Sequence, residues 1–228
     1  MAKLEAEAIH MNTGSAHDKS FMFSYLALRK TIGLLGITLP FVLWLGALLL
    51  FQTGIQSSLS SYYHTGMGDV FVGTLCVIGV FLLSYRGYER ADDIAGDLAC
   101  LFAVGAALFP VTPDDAAAGG ARLSGYVHLA CAGLFFSTLT YFSLRLFTKT
   151  HADKPRTRRK LQRDKVYKSC GYTMGICVVL IAVYSFLPDT MSSPLEAYKP
   201  VYWLEAVAVV AFGISWLTKG EAILKDED

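Results

Sequence analysis

Charged residues are scarce in this chain of 228 residues, where they make up 17% against 54% that are hydrophobic. A soluble domain usually carries about 25% charged residues. The apolar residues are collected into blocks that lack the polar face with which a soluble helix meets water. These blocks predict membrane-spanning helices. The net charge of only +1 gives no attraction to nucleic acid, so we expect no nucleic-acid partner.

Paired cysteines are missing as well, and we expect no cleavable signal peptide. The five cysteines are an odd number without a CxxC pair, which excludes a complete disulfide framework. We expect them to be small apolar core residues. The first apolar block follows about thirty mostly polar residues and is long enough to cross a bilayer. We therefore expect it to remain in the protein as a span.

Six apolar windows have a length suited to a membrane span, which takes about 17 to 25 residues. They predict an all-α, polytopic membrane protein built as a six-helix transmembrane bundle. The windows are 31–52, 69–85, 94–111, 123–147, 169–187 and 201–217. The predicted organisation is a cytoplasmic N-terminal segment (1–30), one transmembrane domain (31–218) containing a basic cytoplasmic loop (148–168), and a cytoplasmic tail (219–228).

The basic residues predict the orientation of these spans. With the N-terminus in the cytoplasm, all 20 Lys and Arg residues fall on the inner side except Arg122 and Lys199. Both termini are therefore predicted to be cytoplasmic. The basic loop (148–168) is interpreted as a topology determinant that attracts anionic lipid headgroups. A docking site for a cytoplasmic partner is the alternative.

Ionisable residues at membrane depth are the best guide to function, because each is costly to leave unpaired there. His64, His128 and Glu205 come from three segments at a similar depth on the predicted outer side. We expect at least two of them to share a cavity within one water-bridged contact. As two imidazoles and a carboxylate, they are candidate ligands for zinc or another divalent ion. A hydrogen-bonded structural cluster and a metal-free substrate or proton site remain alternatives.

The stretch SLSSYYHTGMGD (58–69) is the least lipid-like part of the predicted outer surface. If it is helical, Ser60 and His64 share a face at i, i+4. Ser60 would then stabilise developing negative charge, while Glu205 would ligate the metal or act as a base. Asp69 completes this candidate catalytic set, or it only caps the next helix.

Long segments of the chain resemble a bacterial six-helix membrane family of unknown function. The likeness covers most of 55–218 and is carried by SSYYHTGMGDVFVGTLCVIGVFLLSYRGYE, DDIAGDLACLFAVGAALFP, VHLACAGLFFSTLTYFSL and VYWLEAVAVVAFGISWLTKG. It implies a bacterial inner or plasma membrane protein and no particular activity. The segment around His128, with its following Phe-Phe pair, is similar to the DRAM and Frag membrane families, which are linked to autophagy and lipid-anchor remodelling.

A partial likeness to membrane hydrolases rests on two residues. Ser60 and His64 match the early Ser-x-x-x-His of the CREST superfamily, which includes the zinc-dependent alkaline ceramidases. The late HxxxH of that superfamily has no counterpart in this sequence. The likeness implies a hydrolase that uses a metal ion and acts on a lipid.

The leading functional hypothesis is a membrane-embedded, metal-dependent hydrolase that acts on a lipid or lipid-linked substrate from the non-cytoplasmic side. A non-catalytic protein that binds lipid or a partner is the first alternative, and a channel or transporter is the second. Whether the chain is an enzyme is thus left open. Gly171 and Gly175, four apart on the fifth span, would permit close helix packing in the core or in a homo-oligomer.

Overall fold

The computed structural model describes residues 2–85, 87, 89–113, 119–150 and 157–225. Within these ranges the secondary structure is helical and contains no strand, which confirms the predicted all-α class. The α-helices are α1 (Ala2–Phe51), α2 (Gly68–Leu83), α3 (Arg90–Leu108), α4 (Gly119–Tyr141), α5 (Arg158–Ser185), α6 (Asp189–Glu196) and α7 (Pro200–Lys219). A 3₁₀ helix (Ser60–His64) precedes α2, and a π-helical turn (Phe142–Leu146) continues α4.

Among the described residues, four helices are long and apolar enough to cross a membrane. They correspond to Tyr25–Phe51, Arg122–Leu146, Arg158–Ser185 and Pro200–Lys219. Helix α2 is apolar but only 16 residues long, and α3 begins with a charged turn. The described structure is therefore that of a helical protein suited to a membrane, although length and composition do not confirm the six-span count. Each of the six predicted windows does coincide with one helix; these helices are α1, α2, α3, α4, α5 and α7, and we refer to them as the six long helices.

Two predicted starts differ most from those of the helices. Helix α1 begins at Ala2, well ahead of the predicted start of the first window at 31. Helix α5 begins at Arg158, so the second half of the basic loop is helical. Thr157 starts this helix by accepting a hydrogen bond from the backbone N–H of Lys160 at 3.1 Å, and lysine and arginine are good helix formers. Residues 151–156 of that loop lie outside the described residues.

The six long helices form a closed ring. Each packs against two neighbours, in the order α1, α2, α3, α4, α5, α7 and back to α1. One end of the ring carries the 3₁₀ helix and Glu205, and we refer to it as the cavity end. The opposite end carries Arg145, Lys149 and Lys219, and we refer to it as the basic end.

Apolar side chains fill the ring in two clusters. The cluster nearer the basic end is built around Trp216, which is 1% exposed. The Trp216 ring lies 5.6 Å from that of Tyr85, 5.8 Å from that of Phe142 and 5.2 Å from that of Phe147. Tilted and edge-on aromatic pairs at this spacing stabilise a core beyond the area that they bury. This half of the ring is therefore closely packed, and the internal cavity described below lies towards the cavity end.

Helices α1 and α7 cross at two glycines whose backbones touch. A Cβ added to Gly213 would lie 2.5 Å from the carbonyl oxygen of Gly33, and one added to Gly33 would lie 2.7 Å from the carbonyl oxygen of Gly213. Backbone atoms cannot yield as a flexible side chain does. Small residues permit this kind of approach between helices in membranes. The crossing holds α7, and with it Glu205, against α1.

Gly213→Ala should therefore destabilise the protein by about 1–3 kcal/mol, because the two helices must separate to admit the methyl group. Unfolding of the purified protein in detergent would measure this loss. Gly73→Ala on α2 is the matched control, since nothing lies within 4 Å of an added Cβ there. The control should be neutral or up to about 1 kcal/mol stabilising. Equal effects of the two substitutions would contradict the proposed packing role.

Candidate functional site

A carboxylate on α7 fixes the segment that leads into the 3₁₀ helix. The backbone N–H of Leu59 donates to Glu205 Oε2 at 2.6 Å, and the backbone of Ser60 also hydrogen-bonds this carboxylate. One turn earlier on α7, the backbone N–H of Tyr202 donates to the Ser57 carbonyl oxygen at 3.2 Å. Hydrogen bonds to a carboxylate are charge-assisted and therefore strong. Through these hydrogen bonds, Glu205 holds Ser60 inside the ring.

The end of α3 creates the partner for Ser60. In a regular helix the Ala106 carbonyl would accept a bond from the N–H of residue 110, but that residue is Pro110, which has none. The His128 Nδ1 atom takes this place, at 2.9 Å from the Ala106 oxygen and 2.9 Å from the Phe109 oxygen. A proline that ends one helix therefore determines the position of the imidazole on the next.

The two carbonyl contacts define the tautomer of His128. A carbonyl oxygen only accepts hydrogen bonds, so Nδ1 carries the proton and Nε2 of the neutral ring is an acceptor. The Ser60 hydroxyl lies 2.8 Å from Nε2 and donates its proton to it. Both side chains are buried, with Ser60 7% and His128 4% exposed. A serine hydroxyl bonded to an imidazole whose other nitrogen is held in place is the arrangement that activates a nucleophile.

Ser60, His128 and Glu205 line one small cavity inside the ring. Its volume is about 50 Å³, enough for a few water molecules. Below the three polar side chains, its wall is apolar and descends towards the middle of the ring. The apolar wall includes Leu39, Leu59, Phe71, Leu75, Ile78, Phe135, Phe136, Leu139, Val209 and Phe212. The cavity thus places a polar reactive group at the end of a hydrophobic space.

His64 and Asp69 lie outside this cavity lining. The exposed His64 uses Nε2 to contact the Val111 carbonyl oxygen at 2.7 Å, beyond the end of α3. Asp69 is exposed in the first turn of α2, where the helix dipole favours an acidic residue. The predicted pairing of Ser60 with His64 is therefore not observed, and the imidazole that meets Ser60 is that of His128.

Of the three predicted metal ligands, His128 and Glu205 line the same cavity and His64 lies outside its lining. No group of three or more His, Cys, Asp or Glu side chains within the described ranges could hold a metal ion. Both nitrogens of His128 are already hydrogen-bonded, and Nε2 of His64 contacts a backbone carbonyl. The side chains as placed do not fit the predicted zinc or other divalent-metal site, and metal binding stays a prediction.

The sequence singles out these residues but does not show which of them meet. His64 and His128 are both predicted at a similar depth on the outer side. The signal that separates them is Pro110, whose missing N–H leaves the Ala106 carbonyl free for His128. Pro110, just beyond the end of α3, is therefore the sequence feature that could have indicated the partner of His128.

A search of protein-family models, curated proteins and solved structures finds no match to this chain. The resemblances described from sequence segments therefore stay predictions. Any functional conclusion rests on the geometry of the chain itself.

Proposed function

We propose that all six long helices cross the membrane, with the basic end in the cytoplasm and the cavity end on the opposite side. Three observations support this topology: the closed ring, the coincidence of each helix with an apolar window, and the distribution of Lys and Arg. The acidic start of α3 fits the same arrangement, because Asp92 is paired with Lys149 Nζ at 2.5 Å. A neutralised carboxylate costs little near the headgroups.

Within this topology, we propose that the chain is a membrane-embedded hydrolase that cleaves an acyl ester of a lipid or lipid-linked substrate from the non-cytoplasmic side. The observation that carries the proposal is the 2.8 Å hydrogen bond from Ser60 to an imidazole of fixed tautomer. The apolar wall of the same cavity suits the first carbons of an acyl chain next to the ester carbonyl. The cavity volume of about 50 Å³ admits only the reacting end, with the remainder outside.

The proposed reaction uses His128 first as a base and then as an acid. Ser60 Oγ attacks the acyl carbonyl carbon while its proton moves to His128 Nε2. The bond to the alcohol oxygen then breaks, and the Nε2 proton passes to the departing alcohol. A water molecule next attacks the acyl-serine and gives a proton to Nε2. That proton returns to Ser60 Oγ as the carboxylic acid leaves, so ester and water yield acid and alcohol.

The remaining groups of the site act by positioning. The Ala106 and Phe109 carbonyls hold the Nδ1–H and stabilise the imidazolium that forms during the reaction. The Glu205 carboxylate accepts hydrogen bonds from the backbone of Leu59 and Ser60 and so holds the segment that carries the Ser60 hydroxyl. We place no step on a metal ion, because the nitrogens of His128 are committed to these hydrogen bonds.

A non-catalytic role is the second candidate, and a separate observation favours it. Side chains bind the carbonyl groups in the last turn of α3 and just beyond it. His128 binds those of Ala106 and Phe109. Ser124 binds that of Pro110, and His64 binds that of Val111. Buried carbonyl groups need such partners in any membrane protein. In that case the cluster would serve only to close one end of the ring around a bound lipid or partner.

Covalent labelling separates these two functions. A small alkyl fluorophosphonate should modify the purified protein once, at Ser60, because only an activated serine reacts readily with it. Intact-mass and peptide mass spectrometry would locate the adduct. Ser61→Ala, which changes a neighbouring hydroxyl, should be labelled like the wild type, whereas Ser60→Ala should not be labelled. An unmodified wild-type protein after prolonged incubation would favour the non-catalytic role.

A further inference from the structure

A second, polar cleft lies at the basic end of the ring, remote from the candidate hydrolase site. It has a volume of about 590 Å³ and lies between the start of α3, the π-helical turn after α4, and α5. Its charged lining residues are Glu89, Arg145, Lys149, Asp164 and Lys168. The cleft thus brings three cations and two carboxylates together at the end of the bundle.

Both carboxylates in the cleft already have a cationic partner. Lys149 Nζ lies 3.0 Å from Glu89 and 2.5 Å from Asp92, and Lys160 Nζ lies 2.7 Å from Asp164. The hydrogen bond to Asp92 is the main cause that raises the pKa of Lys149, so this ammonium stays charged. Because both carboxylates are paired with lysines, they are neutralised and would not attract a further cation.

The other two cations are unpaired. Across the described residues, neither Arg145 nor Lys168 has an acidic or hydrogen-bonding partner, and both side chains are exposed. The hydroxyl of Thr150 lies in the same lining, buried and without a hydrogen-bond partner in the described part of the chain. A buried hydroxyl without a hydrogen-bond partner is unfavourable unless something binds it. Two free cations and an unpartnered hydroxyl together form a complement to an anion.

The backbone that carries Arg145 is unusual at this point. The N–H of Phe147 bonds to the carbonyl of Phe142 at 2.9 Å, the i→i+5 pattern of a π turn. Such turns are rare within α-helices and are frequent at functional sites. Tyr141, just before this turn, is 42% exposed and lines the cleft. An apolar ring beside a cationic pocket matches the junction between a lipid headgroup and its acyl chains.

We infer that this cleft binds the phosphate of an anionic phospholipid, with Arg145 and Lys168 on the phosphate oxygens and the Thr150 hydroxyl as a third donor. Basic pockets between helix ends are suited to such headgroups. The site lies at the level of the headgroups if the ring spans the membrane. The inference rests on membrane insertion of the ring and is independent of the hydrolase proposal.

The test compares lipids that differ in headgroup charge. The full chain, purified in detergent, would be titrated with phosphatidylglycerol or phosphatidylcholine and the complexes counted by native mass spectrometry. We expect tighter binding of phosphatidylglycerol. Arg145→Gln and Lys168→Gln should each weaken it about fivefold, since each basic residue near a membrane surface contributes about 1 kcal/mol. Thr150→Val, which nearly preserves shape, should also weaken it.

Lys30→Gln and Lys165→Gln are the matched controls, because these exposed lysines belong to the same end of the ring and do not line the cleft. They should retain the preference for phosphatidylglycerol. Inorganic phosphate and glycerol 3-phosphate distinguish a soluble anion from a lipid. Strong binding of either without any preference between the two lipids would overturn the lipid assignment. An unchanged preference in the Arg145→Gln, Lys168→Gln double variant would overturn the site itself.

Discussion

His128→Gln is expected to reduce ester hydrolysis by about 10²–10⁴-fold, the usual contribution of a general base. Ser60→Ala should reduce it to a similar residual rate, because the nucleophile is removed. The double variant should be little worse than either single one, since residues that act as a unit are not additive. Release of fatty acid from a lipid ester by the purified protein in detergent would be the measurement.

His64→Ala is the matched histidine for this experiment. In the dyad mechanism His64 does not touch the reacting atoms, so this variant should retain activity within a few fold. The metal hypothesis from the sequence expects the opposite, namely equal losses for His64→Ala and His128→Ala together with stoichiometric zinc in the purified protein. A loss confined to His128 and Ser60 would favour the dyad. Full activity of Ser60→Ala would refute it.

Glu205→Ala is expected to destabilise the protein by about 2–4 kcal/mol, because it leaves the N–H groups of Leu59 and Ser60 without their acceptor. Glu205→Gln should cost much less, since its amide oxygen can still accept from both donors. Detergent unfolding curves would measure the stability. Hydrogen exchange of the segment 54–66 would report the release of the 3₁₀ helix.

The comparison of these two variants isolates the positioning role of Glu205. If it acts only by holding the backbone, Glu205→Gln keeps both the protection of 54–66 and the hydrolytic rate. If its carboxylate takes part in proton transfer, Glu205→Gln is stable but inactive. A Glu205→Ala protein with wild-type stability would contradict the hydrogen bonds on which the site is built.

The helical class of the fold follows from the sequence because apolar residues occur in blocks whose length matches helices. The structure confirms this for the described residues, and each predicted window coincides with a helix. The boundaries were less accurate, as α5 shows by starting at Arg158 instead of 169. Hydropathy marks where apolar residues begin, whereas hydrogen bonds determine where a helix begins, and Thr157 supplies the cap well outside the apolar window.

The candidate residues of the site were also visible in the sequence. Ser60, His128 and Glu205 stand out because polar groups next to apolar blocks must find partners. Their roles were not visible. Ser60 was matched to His64 by spacing along the chain. In the structure Ser60 contacts the imidazole of His128, and His64 contacts the Val111 carbonyl. Spacing of four residues describes an α-helix, and Ser60–His64 forms a 3₁₀ helix of three residues per turn.

What the sequence determined by itself is the helical secondary structure and the apolar character that suits these helices to a membrane, since both depend on local composition and periodicity. Only the tertiary structure decided which polar groups meet. Ser60 and His128 are separated by 68 positions, and Leu59 and Glu205 by 146. Those contacts depend on the order of helices around the ring, on the glycine crossing of α1 and α7, and on a carbonyl left free by Pro110. The helix order and the glycine crossing have no local pattern, because they result from packing between segments far apart in the chain. Pro110 is a local feature, but it positions His128 only because α4 packs beside α3.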